Sequence, residues 1–114
     1  MLPELVEIIR GAAADKKGED IAVIELTGKS IIADCFVLVT GRSKIQTRSI
    51  ADAITGAARK NAFAVSRTEG YSEGSWILLD LGTVVVHVFT PDQRSFYNLE
   101  RLWADNRDRR VQSS

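Results

Sequence analysis

Cys35 and His87 are the single cysteine and the single histidine of the chain. Together they could supply a nucleophile and a general base, because thiolate attack needs a proton acceptor within hydrogen-bond reach. No third group that would orient the imidazole can be identified from spacing, so the preferred reading of His87 is a satisfied or interface imidazole. Ser30, Asp34 and Asp80 could hold Mg²⁺ for phosphoryl or nucleotidyl transfer. That chemistry is signalled by two carboxylates one residue apart on a strand, and Asp34-Cys35-Phe36 supplies only one. Asp34 is therefore read as a residue that caps or bounds a strand. Gly41-Arg42-Ser43 could cradle a phosphate on free backbone N–H groups. It lacks the spaced glycines of a phosphate loop or a dinucleotide fingerprint, and an ordinary turn followed by a helix N-cap is the simpler reading. One Cys and one His, without carboxylates at suitable spacing, do not make a zinc or iron site. Neither a catalytic centre nor a cofactor is expected.

The element that must position His87 and Asp80 is the longest apolar run, WILLDLGTVVVHVF over residues 76–89. It alternates on both sides of Leu81-Gly82-Thr83, so it predicts two antiparallel strands joined by a tight hairpin. A two-residue loop puts residues of opposite parity opposite each other, while side chains alternate between faces. One face then carries Ile77, Leu79, Leu81, Val84, Val86 and Val88, and suits a core floor under helices. The other carries Trp76, Leu78, Asp80, Val85, His87 and Phe89, a mixture of large apolar groups, one carboxylate and one imidazole. Such a face is either covered imperfectly, by the first helix or a second copy of the chain, or used to bind a partner. Trp favours the centres of interfaces, which points to a partner.

The remaining periodicities predict a helix over 2–14, a polar loop over 15–20, a strand over 21–26, a turn over 27–30 and a strand over 35–40. A helix capped by Ser43 follows over 44–61, with Ile50, Ile54, Ala57 and Ala58 as its buried stripe. A strand over 63–68, a glycine-punctuated loop over 69–75, the hairpin, and a last helix from Asp92 to about Trp103 complete the order. The last helix carries Phe96, Leu99, Leu102 and Trp103 as its stripe. This gives an α+β domain with a mixed five-stranded sheet, spanning 1–104, and a disordered tail over 105–114. With 114 residues, one core is expected. Fifteen basic residues balance fifteen acidic ones, which argues against a protein held to nucleic acid mainly through phosphates, though a local basic patch remains open. One cysteine allows no internal disulfide, and no leader or long apolar span is visible, so a reducing cytoplasm and no membrane are expected.

Eight segments in order carry a family resemblance: Asp20-Ile21, residues 30–36 around Ala33-Asp34-Cys35-Phe36, Gly41-Arg42-Ser43, Ser49-Ile50-Ala51-Asp52, Glu69-Gly70, WILLDLG over 76–82, VVVHVFTP over 84–91 and YNLERLW over 97–103. Over residues 5–105 the chain resembles the ribosomal silencing factors, also called the iojap family. The resemblance implies a fold related to nucleotidyltransferases without their catalytic carboxylate pair. It implies an activity that is not enzymatic: binding the large ribosomal subunit at ribosomal protein L-fourteen and blocking joining of the small subunit when nutrients are scarce. Trp76 matches the family's partner-surface Trp, and the parity of the hairpin extends the expected partner-binding set to Leu78, Asp80, His87 and Phe89. Direct rRNA contact is expected to be minor at most. Tyr71 departs from the family pattern. A nucleotide-binding or nucleotidyltransferase-like enzyme and a homodimer of the free protein are the alternatives.

Overall fold

The computed structural model describes residues 2–26 and 33–97. The elements run α1 (Leu2–Asp15), β1 (Glu19–Glu25), β2 (Cys35–Thr40), α2 (Lys44–Lys60), β3 (Arg67–Glu69), β4 (Trp76–Asp80), β5 (Val84–Phe89) and α3 (Pro91–Tyr97). They form an α+β fold with one mixed five-stranded sheet in the order β1-β2-β5-β4-β3. β2 and β5 pair in parallel at the centre, and the other three pairings are antiparallel.

The hairpin forms as its alternation predicts. Trp76 faces Phe89, Ile77 faces Val88, Leu78 faces His87, Leu79 faces Val86 and Asp80 faces Val85. Leu81 N–H donates to Val84 O at 2.9 Å, which leaves Gly82-Thr83 as the loop. Gly82 has a φ of 88°, a left-handed position that glycine takes without strain in a tight hairpin loop. The aliphatic face of the hairpin is fully enclosed: Ile77, Leu79, Val84, Val86 and Val88 pack with Val37 and Val39 beneath Ile9 of α1 and Ile50 and Ile54 of α2. Each such side chain contributes roughly 1.5–3 kcal/mol by burial, so a one-residue slip of register would cost far more than any hydrogen bond it kept. Both long helices thus lie on this inner face, against each other and against the sheet.

Several helix and strand ends differ from the sequence-based expectation by a single residue, and others differ for a structural reason. β1 begins at Glu19, not at residue 21, because a bulge between Glu19 and Ala22, with Asp20 at a φ of 50°, lets the polar segment pair with Thr40. The strand expected over 63–68 is Arg67–Glu69 only. Phe63 and Val65, which suggested alternation, pack against the main core from irregular backbone. The last helix starts at Pro91, a residue suited to a first turn. Its expected continuation to Trp103, the tail and the turn at 27–30 lie outside the described residues.

Candidate functional site

The outer face of the sheet carries a second, smaller cluster: Ile24, Leu26, Ala33, Leu38, Val85 and Phe89, with Phe36, Trp76 and Leu78 partly buried at its margin. All five residues expected to bind a partner lie on this face, but at different depths. Phe89 is fully buried and His87 is 6% exposed, whereas Trp76, Leu78 and Asp80 are half-buried. A partner approaching this face meets Trp76 and Leu78 before it meets His87 or Phe89.

The aromatic groups interlock. Trp76 Nε1–H donates to His87 Nδ1 at 3.1 Å. The Trp76 ring lies 5.4 Å from that of Phe89, and Phe36 meets the His87 ring edge-on at 4.8 Å. Because Nδ1 accepts, the neutral imidazole carries its proton on Nε2. That N–H is buried and has no acceptor among the described residues, at a cost of about 1–3 kcal/mol. Desolvation pushes the His87 pKa down to about 4, so the ring is neutral near pH 7.

Beside Trp76 and Leu78, a shallow cavity of about 350 Å³ is completed by Glu69 and Gly70. Its rim is charged. Arg67 Nε stands 3.1 Å from Glu69 and its Nη2 3.8 Å from Asp80. The Arg67–Glu69 pair is solvent-exposed and the Arg67–Asp80 pair long and half-exposed, so each contributes at most about 1 kcal/mol. Asp80 Oδ1 also accepts Gly82 N–H at 2.9 Å, so this carboxylate caps the hairpin turn.

The approach to Trp76 is held by α2. Ser43, at its start, accepts Gln46 N–H at 3.1 Å as the expected N-cap. The Gln46 side chain takes Arg42 N–H at 2.7 Å and donates to the carbonyls of Lys16 and Lys17. The Gly41-Arg42-Ser43 segment is thus built into the fold as a turn and cap. One turn on, buried Thr47 donates to Gly74 O, and the Arg48 guanidinium donates to Tyr71 O at 3.0 Å and Ser72 O at 3.1 Å. Tyr71 O–H donates to Asp52 at 3.0 Å, a bond that raises the phenol's pKa. Gly70, at a φ of 79°, has no room for a methyl, which would collide with the Trp76 carbonyl oxygen. Tyr71 also borders a cavity of about 370 Å³ between α2 and β3, with Asp52 and Arg59.

The structure keeps Cys35 and His87 apart, as the preferred reading of His87 requires. Cys35 belongs to the inner core and His87 to the outer face, so the sheet itself separates them. Burial, with the charges of Glu25 and Asp34, pushes the thiol up to about 11, the opposite of an activated nucleophile. Asp34 bounds β2, its N–H donating to Thr83 O and its C=O accepting from Leu26. Ser30 lies outside the described residues. No group of three or more metal-ligating side chains occurs among the described residues. Sequence reasoning missed Arg94: its guanidinium donates to Asp20 O at 2.6 Å and Thr40 Oγ1 at 2.8 Å and lies over the Phe89 ring at 5.7 Å. It joins α3 to the carbonyl at the β1 bulge and lies on the outer face itself, over Phe89.

The comparisons with known proteins agree with one another. The sequence model of the family described as "Ribosomal silencing factor during starvation" matches residues 1–114. The ribosomal silencing factor RsfS of Bacillus subtilis is 45% identical over 101 residues, covering 89% of this chain and 86% of that one. A mitochondrial iojap-related protein of Arabidopsis thaliana is 33% identical over 90% of this chain and 56% of its own length. Among solved structures, a Chromobacterium violaceum protein superposes with a TM-score of 0.89 at 29% identity, over 91% of this chain and 87% of that one. A Bacillus halodurans protein does so with a TM-score of 0.80 at 40% identity, over 89% and 94%.

Proposed function

Since the chain belongs to the family of ribosomal silencing factors, we propose that it is a ribosome-associated regulator of translation that docks its outer sheet face on the large subunit, at ribosomal protein L-fourteen, and blocks joining of the small subunit by its bulk. The observation that carries this reading is the half-buried Trp76–Leu78 surface set over a rigid aromatic base. A large ring already fixed by its neighbours loses little freedom on docking, which is what makes Trp an effective interface anchor. Leu78 extends the apolar contact. Glu69, paired with Arg67, sets a carboxylate beside Trp76 and Leu78, which suits a basic group on a protein partner. The balanced charge of the whole chain also favours a protein over rRNA as the main contact. His87 and Phe89 support this surface from beneath. On this reading the protein works by occupancy and has no catalytic step.

The test is co-sedimentation with separated large and small subunits, followed by a subunit-joining assay. Binding to the large subunit alone, with joining suppressed, is the expected result. Trp76→Ala is expected to weaken that binding by about 2 kcal/mol, roughly thirtyfold, while circular dichroism remains that of the parent. Parent-like affinity of the folded variant would remove Trp76 from the interface. Failure of the parent to sediment with either subunit would remove the ribosome as partner, and self-association of the free protein would then point to a homodimer.

A further inference from the structure

We infer that His87 is a positioning residue for Trp76: its Nδ1 takes up the indole N–H, so the docking face offers a partner the carbon edge of the indole and not its polar atom. The inference rests on the docking face proposed above and states how that face is prepared.

The strand register explains why a histidine is needed. Leu78 is directly opposite His87, and Trp76 is opposite Phe89. The indole therefore reaches His87 along a diagonal, which a ring of its size can span. Its N–H meets Nδ1 at 3.1 Å. The acceptor itself cannot swing away, because the imidazole is 6% exposed, meets Phe36 edge-on at 4.8 Å and stacks at 26° near Phe89. An aliphatic side chain would fill the same place without leaving the Nε2 proton buried and unpaired among the described residues. What the imidazole provides and leucine lacks is the acceptor. The indole has one donor, so a partner need supply no polar atom to satisfy it.

The test combines the free protein with its ribosome binding. His87→Leu keeps an apolar body and removes the acceptor, and His87→Asn restores an acceptor where Nδ1 stood. In the ¹H–¹⁵N spectrum of the free protein, the Trp76 indole signal is identified by its loss in Trp76→Phe. It is expected to exchange slowly with solvent in the parent, faster in His87→Leu and again slowly in His87→Asn. Large-subunit binding is expected to fall about tenfold in His87→Leu and to recover most of the way in His87→Asn. In a Trp76→Phe background, which has no indole N–H, His87→Leu is expected to cost no further affinity. Equal indole exchange in the parent and His87→Leu, or a full tenfold loss in the Phe background, would overturn the inference and make His87 a packing residue. Should His87→Leu fail to fold, an indole in the parent exchanging as fast as an exposed one overturns it alone. The exchange arm needs no ribosome, so a failure of the docking reading leaves it standing.

Discussion

At the scale of the residue, His87 makes stability depend on pH. Its pKa is about 4 in the fold and about 6.5 in an unfolded chain. Above pH 6.5 both states are neutral and the full stability is present. As pH falls from 6.5 towards 4 the unfolded state takes up a proton that the folded state refuses, and stability is lost, by about 3 kcal/mol at full extent. Urea titrations at several pH values are expected to show this loss in the parent and its absence in His87→Asn, the difference isolating His87 from the carboxylates. The side on which His87 points was legible in the sequence, because parity along a hairpin is fixed by the pleat. Its depth was not: Phe89 and His87 are enclosed by groups distant in sequence, and no periodicity reports what covers a face. Arg94 was illegible for the same reason. Its acceptors are a carbonyl at a bulge and a threonine hydroxyl, 74 and 54 residues away.

At the scale of the element, the end of α1 shows a local mismatch. Gly18 N–H donates to Ala13 O and Lys17 N–H to Ala14 O, the double closure of a Schellman motif. The left-handed position of that motif is held by Lys17, at a φ of 63°, where glycine is favoured. The adjacent Gly18 is required for another reason: a methyl there would press on Val39 Cγ1 at 2.7 Å. Lys17→Gly is therefore expected to stabilise the protein by about 1 kcal/mol, raising the thermal midpoint by about 4–8 °C, measurable by scanning calorimetry. Helices α1 and α2 and the hairpin were legible because each has a long period and a clear cap or turn. The edges of the sheet were not. Asp20 enters β1 through a bulge that polar residues disguise as a loop, and Phe63 and Val65 imitate a strand while serving as lids on the core.

At the scale of the whole molecule, the proposed steric blocking has a reciprocal consequence. If the protein binds as proposed, a body of 41 × 32 × 21 Å on the joining surface would be excluded by a small subunit already there, and linkage requires the two effects to be equal in free energy. Preformed subunit couples are therefore expected to take up little of the protein, and adding small subunits to a saturated large subunit to displace it at high concentration, both followed by gradient sedimentation. Full binding to intact couples would mean that it works without occlusion. The central pairing of β2 with β5 carries a different consequence, for the order of events during synthesis. Residues 35–40 find their partners only at 84–89, so β2, apolar on both faces, leaves the ribosome long before the strand that will flank it. Until then one of its edges is open, and half of the sheet cannot close on the helices. A factor that acts on ribosomes is thus most vulnerable to mispairing while still attached to one, and crowded translation is the condition under which its own yield should suffer first.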